Sequence, residues 1–175
     1  MENKSLLNAL HKALVMEERG YNFYMEASRK SENSITKSTF KYLADNEMLH
    51  IDQIKKFYDN LSGNKGLPPL RIEDVKAERE QDAKIFTSQI RDLKEKIKKS
   101  DSDKEACEFA MNLENDGYKY YEEMLKGAED ENLAALLKFL LREETGHYEG
   151  IKGLYTYITD PENWFMYDEK SFPQG

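Results

Sequence analysis

The stretch LADNEMLHIDQIKKF, residues 43–57, decides how this chain is read. Taken at every third or fourth position from slightly upstream, it gives Phe40, Leu43, Glu47, His50, Ile54 and Phe57. That is the spacing of one face of an α-helix, and four of the six are residues that a helix buries. In the middle of the apolar stripe stand a carboxylate and an imidazole. Burying such groups alone is costly, so something must compensate them there.

The same oddity occurs twice. Shifted by 97 positions, residues 13–58 align without a gap on residues 110–155, with 14 identities in 46 positions. The pairs include Glu17/Glu114, Gly20/Gly117, Tyr21/Tyr118, Tyr24/Tyr121, Glu47/Glu144 and His50/His147. The second stripe reads Leu137, Leu140, Glu144, His147, Ile151 and Leu154, again with Glu and His in its centre. The chain therefore reads as two copies of one helical hairpin.

Glu17 lies about fourteen residues before the first turn and Glu47 about thirteen after it. At about 1.5 Å per residue the chain climbs about 21 Å and returns about 20 Å, so the two carboxylates meet at one level. The same reckoning levels Glu114 with Glu144, and each His stands one turn beyond its Glu on the same face. Four carboxylates converging in a core repel one another and resist desolvation. Two divalent cations cancel four Glu charges, and each imidazole adds a neutral nitrogen ligand. A Glu from each of two helices plus Glu-x-x-His from each of the other two is the recurrent carboxylate dimetal arrangement. The candidate metal ligands are thus Glu17, Glu47, His50, Glu114, Glu144 and His147, and any catalysis is expected at that same centre. Carboxylate and imidazole donors suit Fe or Mn. One Glu-x-x-His in so acidic a chain would arise readily by chance. Two of them, on apolar stripes, using two of the three histidines and each with a level Glu partner, form a specific pattern. Metal affinity is expected to fall as pH drops through about 6, because an ordinary His titrates near 6.5.

Composition closes off other classes. With 175 residues one domain is the default, and a net charge of −8 leaves no chain-wide basic surface for nucleic acid or anionic membrane. The single cysteine, Cys107, excludes an internal disulfide, a CxxC pair and a thiolate cluster. It is read as a small buried hydrophobe. No window approaches a membrane span, and MENKSLLNAL lacks the apolar core of a signal peptide, so a cytoplasmic location is expected.

Strand-like alternation is absent and the expected class is all-α. Helices are expected over 5–30, with Ser5 as N-cap, over 35–61, over 103–126 and over 132–158. The first hairpin thus occupies 5–61, the crossover 62–102 and the second hairpin 103–158. Within the crossover KIFTSQIRDLKEKIKK carries a helical pattern of its own. A long crossover between two short-turn hairpins fits a ferritin-like four-helix bundle over residues 1–160. The tail 161–175, with Trp164 and Phe165, is read as a strap on the bundle. His11 is read as structural or exposed, and Glu18, Glu26, Glu123 and Glu143 as solvated or supporting groups. Tyr21, Tyr24, Tyr118 and Tyr121 share the ligand face and are read first as core packing, with hydrogen bonding to ligands as the alternative.

MEERGYNFY, LENDGYKYY, NEMLHIDQIKKF, EETGHYEGIKGL and DPENWF together resemble the rubrerythrin-type branch of the ferritin-like superfamily. The resemblance covers essentially the whole chain. It implies terminal ligation by Glu17 and Glu114, bridging of two irons by Glu47 and Glu144, and a cap on each iron from His50 or His147. It also implies a non-haem di-iron peroxidase, a homodimer or higher homo-oligomer, and an external electron donor such as rubredoxin. Full-length relatives add a rubredoxin-like domain built on two CxxC pairs, which one cysteine cannot make. They usually carry an extra Glu one turn after the third-helix ligand, where this chain has Gly117. The six-ligand set equally resembles bacterioferritin-type ferroxidase centres. Ferroxidase or iron-handling activity, and a non-enzymatic metal-binding bundle, are therefore the alternatives. Mn or a mixed Fe/Mn pair is the alternative to two irons, and O₂ the alternative oxidant to peroxide.

Overall fold

The computed structural model describes residues 3–70 and 101–161. They form four helices, α1 (Asn3–Lys30), α2 (Ser34–Ser62), α3 (Asp101–Lys126) and α4 (Glu131–Thr159), and no strand occurs among the described residues. The expected helices are all present, within a residue or two at each end. One cap is corrected. Ser5 lies inside α1 and is exposed, because the helix begins earlier, by Asn3. The helical pattern at 84–99 and most of the tail, with Trp164 and Phe165, lie outside the described residues.

Each hairpin turns on one side chain that closes the next helix. Asn33 Oδ1 accepts from the backbone N–H of Ile35 at 2.9 Å and of Thr36 at 3.2 Å. Asp130 Oδ1 accepts from Asn132 at 2.9 Å and Leu133 at 3.0 Å. These two N-caps are themselves 97 positions apart, so the repeat extends to the turn. At the end of α2, Asn64 takes a left-handed φ of 54°, which Asn tolerates better than most residues, and the chain leaves the helix there.

The helices pack antiparallel within each hairpin and between them. Tyr120 donates to the Ala9 carbonyl at 2.9 Å, while Phe23 meets Phe109 at 4.7 Å between ring centroids. α1 and α3 therefore run in opposite directions. Ser31, after α1, donates to Asp103, near the start of α3, at 3.0 Å. At the other end of the bundle Leu61, Leu67 and Leu133 gather around one hollow. The chain thus leaves α2 at one end and enters α3 at the other.

Two apolar clusters fill the interior. One contains Leu10, Phe57, Leu136 and Leu140, and the other Tyr24, Phe40, Cys107 and Ile151. Fully burying a side chain of the Leu or Phe type stabilises by about 1.5–3 kcal/mol, so these layers hold the four helices together. Between them lies a polar layer. Every member of both stripes read from the sequence is buried, the Glu and His residues included.

Candidate metal centre

The polar layer brings together all six candidate ligands. Glu17, Glu47, His50, Glu114, Glu144 and His147 are each 5% exposed or less. His50 Nδ1 stands 3.1 Å from Glu17 Oε2, 3.4 Å from Glu47 Oε2 and 4.0 Å from Glu144 Oε1. His147 Nδ1 stands 3.2 Å from Glu47 Oε1 and 3.3 Å from Glu114 Oε2. The two imidazoles stack with centroids 5.3 Å apart. Each histidine thus turns Nδ1 to the carboxylates, an orientation that helix periodicity does not specify.

The donors fall into two overlapping groups, each with its atoms within 4.8 Å of one another. Glu17, Glu47, His50 and Glu144 form one, and Glu47, Glu114 and His147 the other. Glu47 belongs to both, as a carboxylate shared between two cations would. Glu144 belongs only to the first of these two. Some donor atoms lack any hydrogen-bond partner although fully buried, among them Glu114 Oε2, His147 Nδ1 and the Nε2 atoms of both histidines. Buried polar atoms are normally satisfied, and a cation between the groups would satisfy the carboxylate and imidazole atoms that face one another. The donor set therefore fits a pair of metal ions.

Packed this closely, Glu17, Glu47, His50, Glu144 and His147 shift one another's proton affinities. Burial, with the neighbouring Glu47 charge, lifts Glu17 to about 8. Burial and the other three carboxylates push Glu144 well above the usual range. Burial works against a low value for Glu47 too, but the facing Glu17, His147 and His50 outweigh it and hold Glu47 well below its ordinary value. Burial disfavours charge on the imidazoles, yet the facing carboxylates win. Glu17 and Glu47 raise His50 to about 9, and Glu114 and Glu47 raise His147 to about 10. Without metal, both imidazoles thus hold their protons more tightly than an ordinary His.

Two tyrosines hold the carboxylates from across the bundle. Tyr24 on α1 donates to Glu114 on α3, and Tyr121 on α3 donates to Glu17 on α1. Burial first, and then the nearby carboxylates, raise both phenols well above their ordinary value, so the protons stay on the donors. Core packing holds for Tyr24 and Tyr121, which are fully buried in the two apolar clusters and also make the hydrogen bonds read as the alternative. Tyr24 and Tyr121 each hold a buried carboxylate, Tyr118 is exposed, and Tyr21 is half-buried. The seven-residue interval from Glu17 to Tyr24 and from Glu114 to Tyr121 was the available signal, but it does not say that each tyrosine crosses to the other hairpin.

Two more buried polar residues flank the site. Asn46 and Glu143 directly precede Glu47 and Glu144 and are themselves 97 apart. Glu143 comes within 4.8 Å of nitrogens of both histidines and is buried, not solvated. Glu18, Glu26, Glu123 and His11 are exposed, as read from the sequence. Cys107 is fully buried, and burial, with Asp103 and Glu108 nearby, pushes its thiol to about 12, where it is inert at neutral pH.

A cleft of about 500 Å³ opens between α1 and α3 and reaches the four carboxylates past Gly20 and Gly117. Neither histidine lines it. The centre thus presents its carboxylates toward the opening and its imidazoles toward the α2–α4 side.

Fold and site together define a class: ferritin-like four-helix bundles whose core carries a carboxylate–histidine cluster able to hold two metals. A family profile, Rubrerythrin, matches residues 8–155, and the chain belongs to the rubrerythrin family. No curated protein sequence matches it. Among solved structures, the "Hypothetical Protein Pfu-1136390-001 From Pyrococcus furiosus" is similar with a TM-score of 0.66 at 20% identity. The match covers 93% of this chain and 95% of that one, and shows a shared fold.

Proposed function

We propose that this chain is a non-haem di-iron oxidoreductase that reduces hydrogen peroxide to water with electrons from an external donor. The observation that supports it best is the pair of donor groups sharing Glu47, buried in a family of di-iron proteins. Glu17 and His50 would hold one metal, Glu114 and His147 the other, with Glu47 and Glu144 between them. Two ferrous ions held there would supply the two electrons that reducing one peroxide to two waters requires, with two protons taken from solvent. The protein's own work is positioning. Tyr24 and Tyr121 fix the orientation of Glu114 and Glu17, and the apolar layers above and below keep bulk water from the histidine side. The α1–α3 cleft is the route by which a small oxidant reaches the carboxylates.

With one cysteine and no G-x-G-x-x-G fingerprint, the chain has no dithiol or nucleotide site of its own to return electrons. A small redox protein such as rubredoxin is the donor we infer, acting on a homo-oligomer in the cytoplasm. No helix among the described residues is long and apolar enough to cross a membrane.

Anaerobic loading with ferrous iron followed by stopped-flow oxidation tests the reading. The expected result is two irons per chain, oxidised much faster by peroxide than by O₂. Repeated turnover with NADH should occur only when rubredoxin and its reductase are added. Faster reaction with O₂ and accumulation of ferric mineral would select the ferroxidase alternative. Failure to turn over with either oxidant would leave a non-enzymatic metal-binding bundle.

A further inference from the structure

The two glycines that floor the α1–α3 cleft are equivalent in the repeat but not in space. A methyl placed on Gly20 would meet Glu47 Cδ at 3.5 Å, ordinary van der Waals contact. A methyl on Gly117 would run into Glu144 Oε2 and lie 3.0 Å from its Cδ. Glu144 therefore occupies the volume that any other residue at 117 would fill. The consequence is visible at the histidines. Glu47 reaches to 3.2 Å from His147, whereas its counterpart Glu144 stays 4.0 Å from His50. Of the two central carboxylates, one is held inward and the other leans into the space over Gly117.

We propose that Gly117 is a positioning residue for the metal centre: its missing side chain gives the Glu144 carboxylate the space it needs on the cleft side of the site. The proposal rests on the dimetal reading and adds to it an asymmetry between the two halves. The obstacle to a methyl at 117 is the end of a flexible side chain, not backbone, so the helices can accommodate it. What has to move is a donor atom. Fold and metal binding should therefore respond differently to one substitution. Gly lies inside α3, where Ala is the better helix former, so the helix itself favours the change.

Gly117→Ala, Gly20→Ala and Gly153→Ala, the last on α4 where a methyl meets nothing within 4 Å, make the comparison. Each is prepared metal-free, checked by far-UV circular dichroism, and titrated with Co(II) while the cobalt absorption is followed. The expected result is unchanged helicity in all three. Gly117→Ala should lose affinity for at least one of two Co(II) ions by about tenfold or more, the scale on which displaced supporting groups act. Gly20→Ala should lose less than about threefold, and Gly153→Ala should match the wild type. In a Glu144→Ala background, Gly117→Ala should produce no further loss, because both changes act through the same carboxylate. Wild-type binding by Gly117→Ala, an equal loss in Gly20→Ala, or an additional loss in the Glu144→Ala background would each overturn the proposal. If Gly117→Ala does not fold, recovery of helicity in the Gly117→Ala/Glu144→Ala double variant supports it, and a double variant that stays unfolded overturns it. A wild-type protein that binds no Co(II) would instead remove the dimetal reading, and this inference with it.

Discussion

Residues 13–58 and 110–155 fold into the same hairpin, yet they do not build identical halves of the site. The caps Asn33 and Asp130, the hydrogen-bonding Tyr24 and Tyr121, the carboxylates Glu17 and Glu114, and the two histidines correspond one to one across the offset. The departures lie next to Glu47 and Glu144. Asn46 faces Glu143 in the repeat, a neutral amide against an acid. Gly20 leaves Glu47 a normal contact, and Gly117 is filled by Glu144. Glu47 touches both histidines within 3.4 Å, whereas Glu144 approaches only His50, at 4.0 Å. Duplication of a hairpin reproduces everything that depends on helix register. It does not reproduce what depends on the packing of neighbours that have since diverged.

The largest test of that asymmetry removes each central carboxylate. Glu47→Ala is expected to abolish binding of both metals, beyond the roughly 10–100-fold that loss of a supporting group costs. Glu144→Ala should weaken one site more than the other and leave measurable binding of one ion. Metal analysis after anaerobic loading and desalting checks both, and equal losses would restore the symmetric picture.

The next effect is the pH dependence of the metal-free protein. His50 and His147, raised to about 9 and about 10, keep protons that the unfolded chain gives up near 6.5. Their contribution to stability is complete below about 6.5 and is lost as pH rises through 9 to 10. Glu17, raised to about 8, acts in the same direction, its contribution lost as pH rises through that value. Glu47, held low, acts in the opposite sense and weakens the fold only in acid. The melting temperature of metal-free protein should therefore fall from pH 6.5 to 10. That of the metal-loaded protein should hold, because the metals need deprotonated ligands. Parallel curves for the two forms would mean that metal and protons do not compete for these groups.

Tyr24→Phe and Tyr121→Phe probe the half of the design that remains symmetric. Each leaves a buried carboxylate oxygen without its donor and should cost about 1–3 kcal/mol in urea unfolding of the metal-free chain. Similar values are expected from the crossed arrangement, and a difference above about 1 kcal/mol would show that the asymmetry reaches the tyrosines.

The caps give the smallest effect. Asn33→Ala and Asp130→Ala each remove two N–H contacts at a helix start, for about 1 kcal/mol. Asn33 is buried and Asp130 exposed, so Asn33→Ala should lie at the upper end, near about 2 kcal/mol. Thermal melts of the two variants, run side by side, settle the order.

Sequence alone determined the four helices, the hairpin duplication and the six residues that share the polar layer. Each follows from periodicity: 3.6 residues per turn places Glu47 and His50 on the face of Phe40 and Ile54, and 1.5 Å per residue levels Glu17 with Glu47. The helix ends were legible to within a residue or two, but Ser5 was not the cap, since a polar residue near a helix start does not by itself say where the first turn forms. Only the tertiary structure decided that Tyr24 serves Glu114 and Tyr121 serves Glu17, that Glu143 is buried beside the histidines, and that Glu144 lies over Gly117. Those are distances between helices far apart in the chain, set by crossing geometry and side-chain rotamers. The helical repeat carries a residue's face and height, and leaves the neighbour across the bundle to packing.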